Sequence, residues 1–146
     1  MLAFFTDRFG IDPAVFAAYE FIVRGRNIWI VAKSVHLSTA LALQPHTVGL
    51  RLARETNLGI KPTTYGLQVF GHYATKNRLE IPREEALRFL RGEVILRRFD
   101  VTPGFVVVWS EGLVVGCGLY KSSGILESLI PRKIRLDAPH SPEETA

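Results

Sequence analysis

Apolar and polar positions follow two periods along this chain, helical in its first third and mostly alternating in its last. Leu2, Phe4, Phe5 and Phe9 recur at helical spacing, and Gly10 is placed to close that helix in a left-handed conformation. Asp12 ahead of Pro13 predicts a second, short capped helix running to about Ala18. In YEFIVRGRNIWIVA, two apolar segments flank the basic loop Arg24, Gly25, Arg26 and Asn27, which predicts two strands joined as a hairpin. Residues 34–46, with Leu37, Leu41 and Leu43, fit either a buried helical turn or irregular packing. Residues 47–53 read as a strand with Arg51 and Arg54 facing outward.

Lys61, Pro62, Thr63 and Thr64 then precede an amphipathic run over 65–73, which predicts a capped helix carrying Leu67, Val69 and Phe70. A strand is expected over 77–80. In IPREEALRFLRG, Pro82 takes the first helical position, Glu84 and Glu85 the first turn, Arg88 and Arg91 the last, and Gly92 the end. Each charge suits the helix dipole, and Glu84 is four residues from Arg88, the spacing of a surface ion pair.

From Glu93 onward the segments GEVILRR, GFVVVW, LVVGCGLYK, GILESLIP and KIRL read as short strands. Turn signals at 110–112 and 122–124, with Pro103 and Gly104, separate them. Even spacing of this kind predicts a small barrel. Gly116 and Gly118 fall on one strand face, where missing side chains permit sharp coiling or close approach by another backbone. The expected class is α+β: a small α/β lead domain over residues 1–95, a barrel over 96–136, and an acidic disordered tail over 137–146.

Length and composition narrow the function. The 146 residues suit one mid-sized domain or two very small ones, and 47% apolar with 22% charged residues excludes wholesale disorder. Eighteen bases stand against eleven acids over residues 1–136, because Asp137, Glu143 and Glu144 fall in the tail. Arg outnumbers Lys 13 to 5, which suits bidentate phosphate contacts and makes RNA a natural partner, with surface ion pairing as the competing explanation. The single Cys117 excludes an internal disulfide and a cysteine-based zinc site. No apolar run reaches the roughly 18 residues of a membrane span, and the start MLAFFTDRFG lacks signal-peptide features, so a cytoplasmic location is expected.

No enzyme chemistry stands out. There is no GxxxxGK[ST] string, and GCGLY lies within a predicted strand instead of opening a helix. His36, His46, His72 and His140 share no metal-ligand spacing, and Cys117 between glycines reads as a buried, inert thiol. The expectation is therefore no catalytic residue, no cofactor and no metal.

Three basic groups remain. Lys61 with Thr63 and Thr64 either holds a phosphate at a helix start or caps that helix, and Arg51 and Arg54 extend the same patch. Arg132, Lys133 and Arg135 follow Pro131, with Lys121 as a companion from the neighbouring strand. Arg88, Arg91, Arg97 and Arg98 form the third, in competition with ion pairs to Glu84, Glu85 and Asp100. Trp29 and Trp109 read as core, whereas Tyr65, Tyr73 and Tyr120 are candidates for exposed edges where bases stack.

VGLRLAR, KPTTYGLQVFG, LEIPREEALRFLRGEVI and PGFVVVWSEGLVVGCGLYKSSGILESLIPRKIRL together resemble the RNA-binding region of Sun-type RNA cytosine-C5 methyltransferases and their archaeal relatives, over about residues 1–136. The resemblance implies a lead domain joined to a PUA-type barrel that binds structured tRNA or rRNA. Lys61, Thr63 and Thr64 match the family's helix start, Gly116 and Gly118 its barrel hairpin, and Arg132 and Lys133 the basic end of its last loop. The family's Pro-Cys and Thr-Cys contexts do not occur in this sequence. The resemblance thus implies a non-catalytic RNA-binding protein of RNA modification or ribosome assembly, alone or beside a separate modifying enzyme. The alternative is an accessory subunit docking on an RNA methyltransferase or ribosome-assembly factor through protein contacts.

Overall fold

A computed structural model describes residues 2–43, 45 and 49–136. The predicted tail at 137–146, His46 and His140 lie outside the described residues. Helix α1, Leu2–Phe9, buries Phe5 and Phe9 completely, and Gly10 ends it at φ +64°. Asp12 caps the 3-10 turn Pro13–Phe16, its Oδ1 accepting from the Ala14 N–H at 2.9 Å.

The first sheet is an antiparallel meander, β1 (Tyr19–Arg24), β2 (Asn27–Ala32), β3 (Leu50–Thr56) and β4 (Gly59–Pro62), in that spatial order. The undecided segment 34–46 contains a short helix, α2 (Leu37–Ala42), with no buried residue. Strand β4 lies where the sequence shows only a prelude to a helix. It pairs with β3, setting Lys61 directly opposite Arg54. Helix α3 (Thr64–Phe70) follows at once and passes so near β3 that a Cβ on Gly66 would meet the Leu52 carbonyl at 2.7 Å.

The second sheet has the order β5-β7-β8-β9-β6, comprising β5 (Arg78–Glu80), β6 (Ile95–Leu96), β7 (Gly104–Ser110), β8 (Leu113–Lys121) and β9 (Ile125–Ser128). Only β5 and β7 run parallel; the other pairs are antiparallel. The sheet curls over helix α4 (Arg83–Leu90), and the whole is α+β with a barrel-like second half, as the strand spacing predicts. This sheet draws β5 and Ile95 from the segment read as the lead domain.

Three local expectations are corrected. KIRL is a 3-10 turn, Arg132–Ile134, and not a strand. Pro131 offers no N–H to a ladder, and the segment is held instead by Arg135 Nε donating to the Ile130 carbonyl at 3.1 Å and by the Leu136 N–H donating to Leu90 at 2.9 Å. Glu84 does not pair with Arg88, which reaches Glu93 at 4.0 Å and the Val94 carbonyl at 3.3 Å beyond the helix end. Tyr120 is buried, not an edge residue, its hydroxyl accepting from the Phe99 N–H at 3.1 Å.

The second sheet is covered on both faces, and its alternation explains how. Val107 and Cys117 turn to one side and join Phe5, Phe9, Leu52, Leu67 and Phe70 in a core shared with the first sheet. Val106 and Val108 turn to the other, packing with Phe89, Leu126 and Ile130 beneath α4. Gly116 and Gly118 are missing side chains where space runs out: a Cβ there would meet Ile130 Cδ1 at 2.6 Å and Leu126 Cδ1 at 2.8 Å respectively. The shared face is not covered to its end. Past Val107 and Cys117, the next pair of that face, Phe105 opposite Leu119, is only half-buried.

Candidate nucleic-acid interface

The uncovered end of that face, together with β3 and β4, forms a cleft between the two sheets. Its larger part, about 660 Å³, has Arg26, Arg54 and Lys61 on one wall and Phe105, Leu119 and Leu129 on the other. A smaller hollow of about 230 Å³ continues it, sharing Arg54, Lys61 and Leu129 and adding Arg51, Tyr65 and Pro131. The basic wall arises from strand chemistry: Arg54 and Lys61 are cross-strand partners, so their long side chains rise from neighbouring positions. Arg51, Arg54 and Lys61 are all exposed, and among the described residues none has an ion pair or side-chain hydrogen bond. Arg26 donates to Asn57 Oδ1 at 3.1 Å, which links the tips of the two hairpins. Unpaired cations beside an apolar wall attract a polyanion and give part of it a dry surface to rest on.

The other residues singled out in the sequence fare unequally. Thr63 is the helix cap, its Oγ1 accepting from the Gly66 N–H at 2.9 Å and donating to the Arg51 carbonyl at 2.6 Å. Thr64 is buried, accepting from the Cys117 N–H at 3.2 Å and facing the Leu129 carbonyl at 3.3 Å, so its hydroxyl joins α3 to the second sheet. The capping reading thus holds for Thr63 alone, the Thr64 hydroxyl being committed to the second sheet, and Lys61 reaches the cleft as part of β4. Lys121 is neutralised by Glu127 at 2.6 Å, and Arg135 is committed to the Ile130 carbonyl and lies against Gly92. Arg132 and Lys133 are exposed on their 3-10 turn, immediately after Pro131, but neither lines the cleft.

In the third basic group ion pairing takes a share. Arg97 meets Glu85 at 2.7 Å and lies over the Phe99 ring at 4.5 Å, and Arg88 has Glu93. Trp109 sits under Arg78, whose guanidinium carbon is 4.5 Å from its ring centroid. Cys117 is wholly buried; desolvation pushes its thiol up to about 12, against the smaller opposing pull of Lys61 and Arg8, so it stays protonated and unreactive near neutral pH. Among the described residues no three His, Cys, Asp or Glu side chains gather as a metal site, and no helix is long and apolar enough to cross a membrane.

Sequence reading finds Arg51, Arg54 and Lys61 but misses Arg26, Phe105, Leu119 and Leu129. Arg26 is visible in the sequence as a basic hairpin residue. The apolar wall is not, since its members lie in ordinary strand runs and become a surface only because the first sheet stops short of them.

No curated protein matches the chain. Residues 76–136, which span β5 to the final 3-10 turn, match the family described as the methyltransferase RsmF PUA domain. The parallel β5–β7 pair, the helix beneath the curled sheet and the glycine-bearing β8 hairpin all lie inside that match, so this segment, less than half of the chain, is similar to that PUA domain.

Proposed function

We propose that this protein binds structured RNA, tRNA or rRNA, through the cleft between its two sheets, and that it acts without catalysis in RNA modification or ribosome assembly beside a separate cytoplasmic modifying enzyme. The observation that carries the reading is the trio Arg51, Arg54 and Lys61, exposed and unpaired on adjoining strands next to a matched PUA-type domain. Phosphate contacts supply affinity, while shape and the 2′-hydroxyl distinguish RNA from DNA. Arg132 and Lys133 add charge just past Pro131 at the cleft's edge.

Counterion release gives the test. With three to four cations on phosphates, log affinity for a tRNA or rRNA fragment falls with log salt at a slope of about −2 to −4. A flat slope, or no binding at low salt, contradicts the proposal.

A further inference from the structure

The wall opposite the cations and the tip of the β3–β4 hairpin are not explained by phosphate contacts. Phosphates gain nothing from Phe105, Leu119 and Leu129. Above them the hairpin turns through only Asn57 and Leu58, and Leu58 is 101% exposed. The tip is nevertheless fixed: Thr56 Oγ1 accepts from the Leu58 N–H at 3.2 Å and donates to the Gly59 carbonyl at 2.7 Å, while Arg26 holds Asn57. A fully exposed leucine on a braced turn, rimmed by cations and overhanging an apolar hollow, is placed as a small rigid wedge.

Bases inside an A-form helix hide their faces in the stack, and those faces become available only where the helix ends or bulges. An apolar side chain placed at such a point covers the last pair and directs the next base outward. We infer that Leu58 is a wedge for the junction between paired and unpaired RNA: it covers the terminal pair, Arg54 and Lys61 hold the phosphates at the junction, and the first unpaired base packs against Phe105 and Leu129. The inference rests on the RNA-binding reading and specifies which part of an RNA that cleft takes.

The experiment compares three RNAs of equal length on the full chain: a blunt duplex, a single strand, and a duplex with a 3′ overhang whose first unpaired base is 2-aminopurine. Wild-type protein binds the overhang duplex about tenfold more tightly than either other RNA, and the 2-aminopurine emission changes as the base leaves its stack. Leu58→Ala removes that preference and the emission change, while the salt slope and melting temperature stay at wild-type values. Equal affinity for all three RNAs, or a preference that survives Leu58→Ala, overturns the wedge and leaves RNA binding standing. Absence of binding to any of them overturns both readings.

Discussion

Reversing the charge of the basic wall, Arg51→Glu, Arg54→Glu and Lys61→Glu together, is expected to lower RNA affinity by about 100-fold or more. Each phosphate contact by an exposed cation contributes about 0.5–1 kcal/mol, and a reversed charge adds repulsion of similar size, so three positions give about 3–6 kcal/mol against the 1.4 kcal/mol that makes a factor of ten. The same variant reduces the salt slope by about 2 to 3, because three fewer counterions are released. Folding is barely affected. All three side chains are exposed and lack ion pairs within the described residues, and such surface substitutions change stability by about 0.5 kcal/mol each or less. Filter binding alongside thermal melting separates the two quantities. Retained affinity with a normal melt places the RNA on another face; a large fall in melting temperature shows that the three charges serve the fold.

Phe70→Ala is expected to have the largest effect on stability, about 3–5 kcal/mol, and to melt both sheets together. Phe70 is 3% exposed and lies against the Phe16 and Tyr19 rings at centroid distances of 5.1 Å and 5.4 Å. It belongs to the same cluster as Val107 and Cys117 of the second sheet, so the cavity left by truncation weakens a core that both sheets use. For a chain of this size the loss corresponds to a fall of about 10 °C or more in melting temperature. One sharp transition, with amide protection lost from β2 and β7 at the same denaturant concentration, is the expected record. If β7 to β9 stay protected after the first sheet has opened, the shared core does not couple the two. The functional consequence is direct, because a cleft with one wall from each sheet keeps its width only while that core holds.

Much of this architecture is readable wherever local chemistry decides the outcome. Phe5 and Phe9 at helical spacing, the Asp12 cap, Gly92 closing α4 and the turns of the barrel strands are each set by neighbours within a few residues. What escapes detection is non-local. Strand β4 is four residues long and holds a glycine and a proline, so its existence depends on the edge β3 offers and not on its own propensity. Thr64 has the look of a surface cap in the sequence and is buried because Cys117, 53 residues away, uses its hydroxyl. KIRL has the apolar alternation of a strand, but Pro131 and the anchor on Leu90 turn it aside. The basic half of the candidate site is legible because charge is a property of each residue. Its apolar half is hidden, because half-burial of Phe105, Leu119 and Leu129 depends on where another sheet ends.

Ultraviolet crosslinking of bound RNA to the full chain, with the joined residues located by mass spectrometry, tests the central claim most directly. If RNA lies in the cleft between the sheets, crosslinked nucleotides map to Phe105 and Tyr65, the aromatic side chains of its two hollows. Crosslinks confined to the far side of the second sheet, around the partly buried Phe99, would contradict the account.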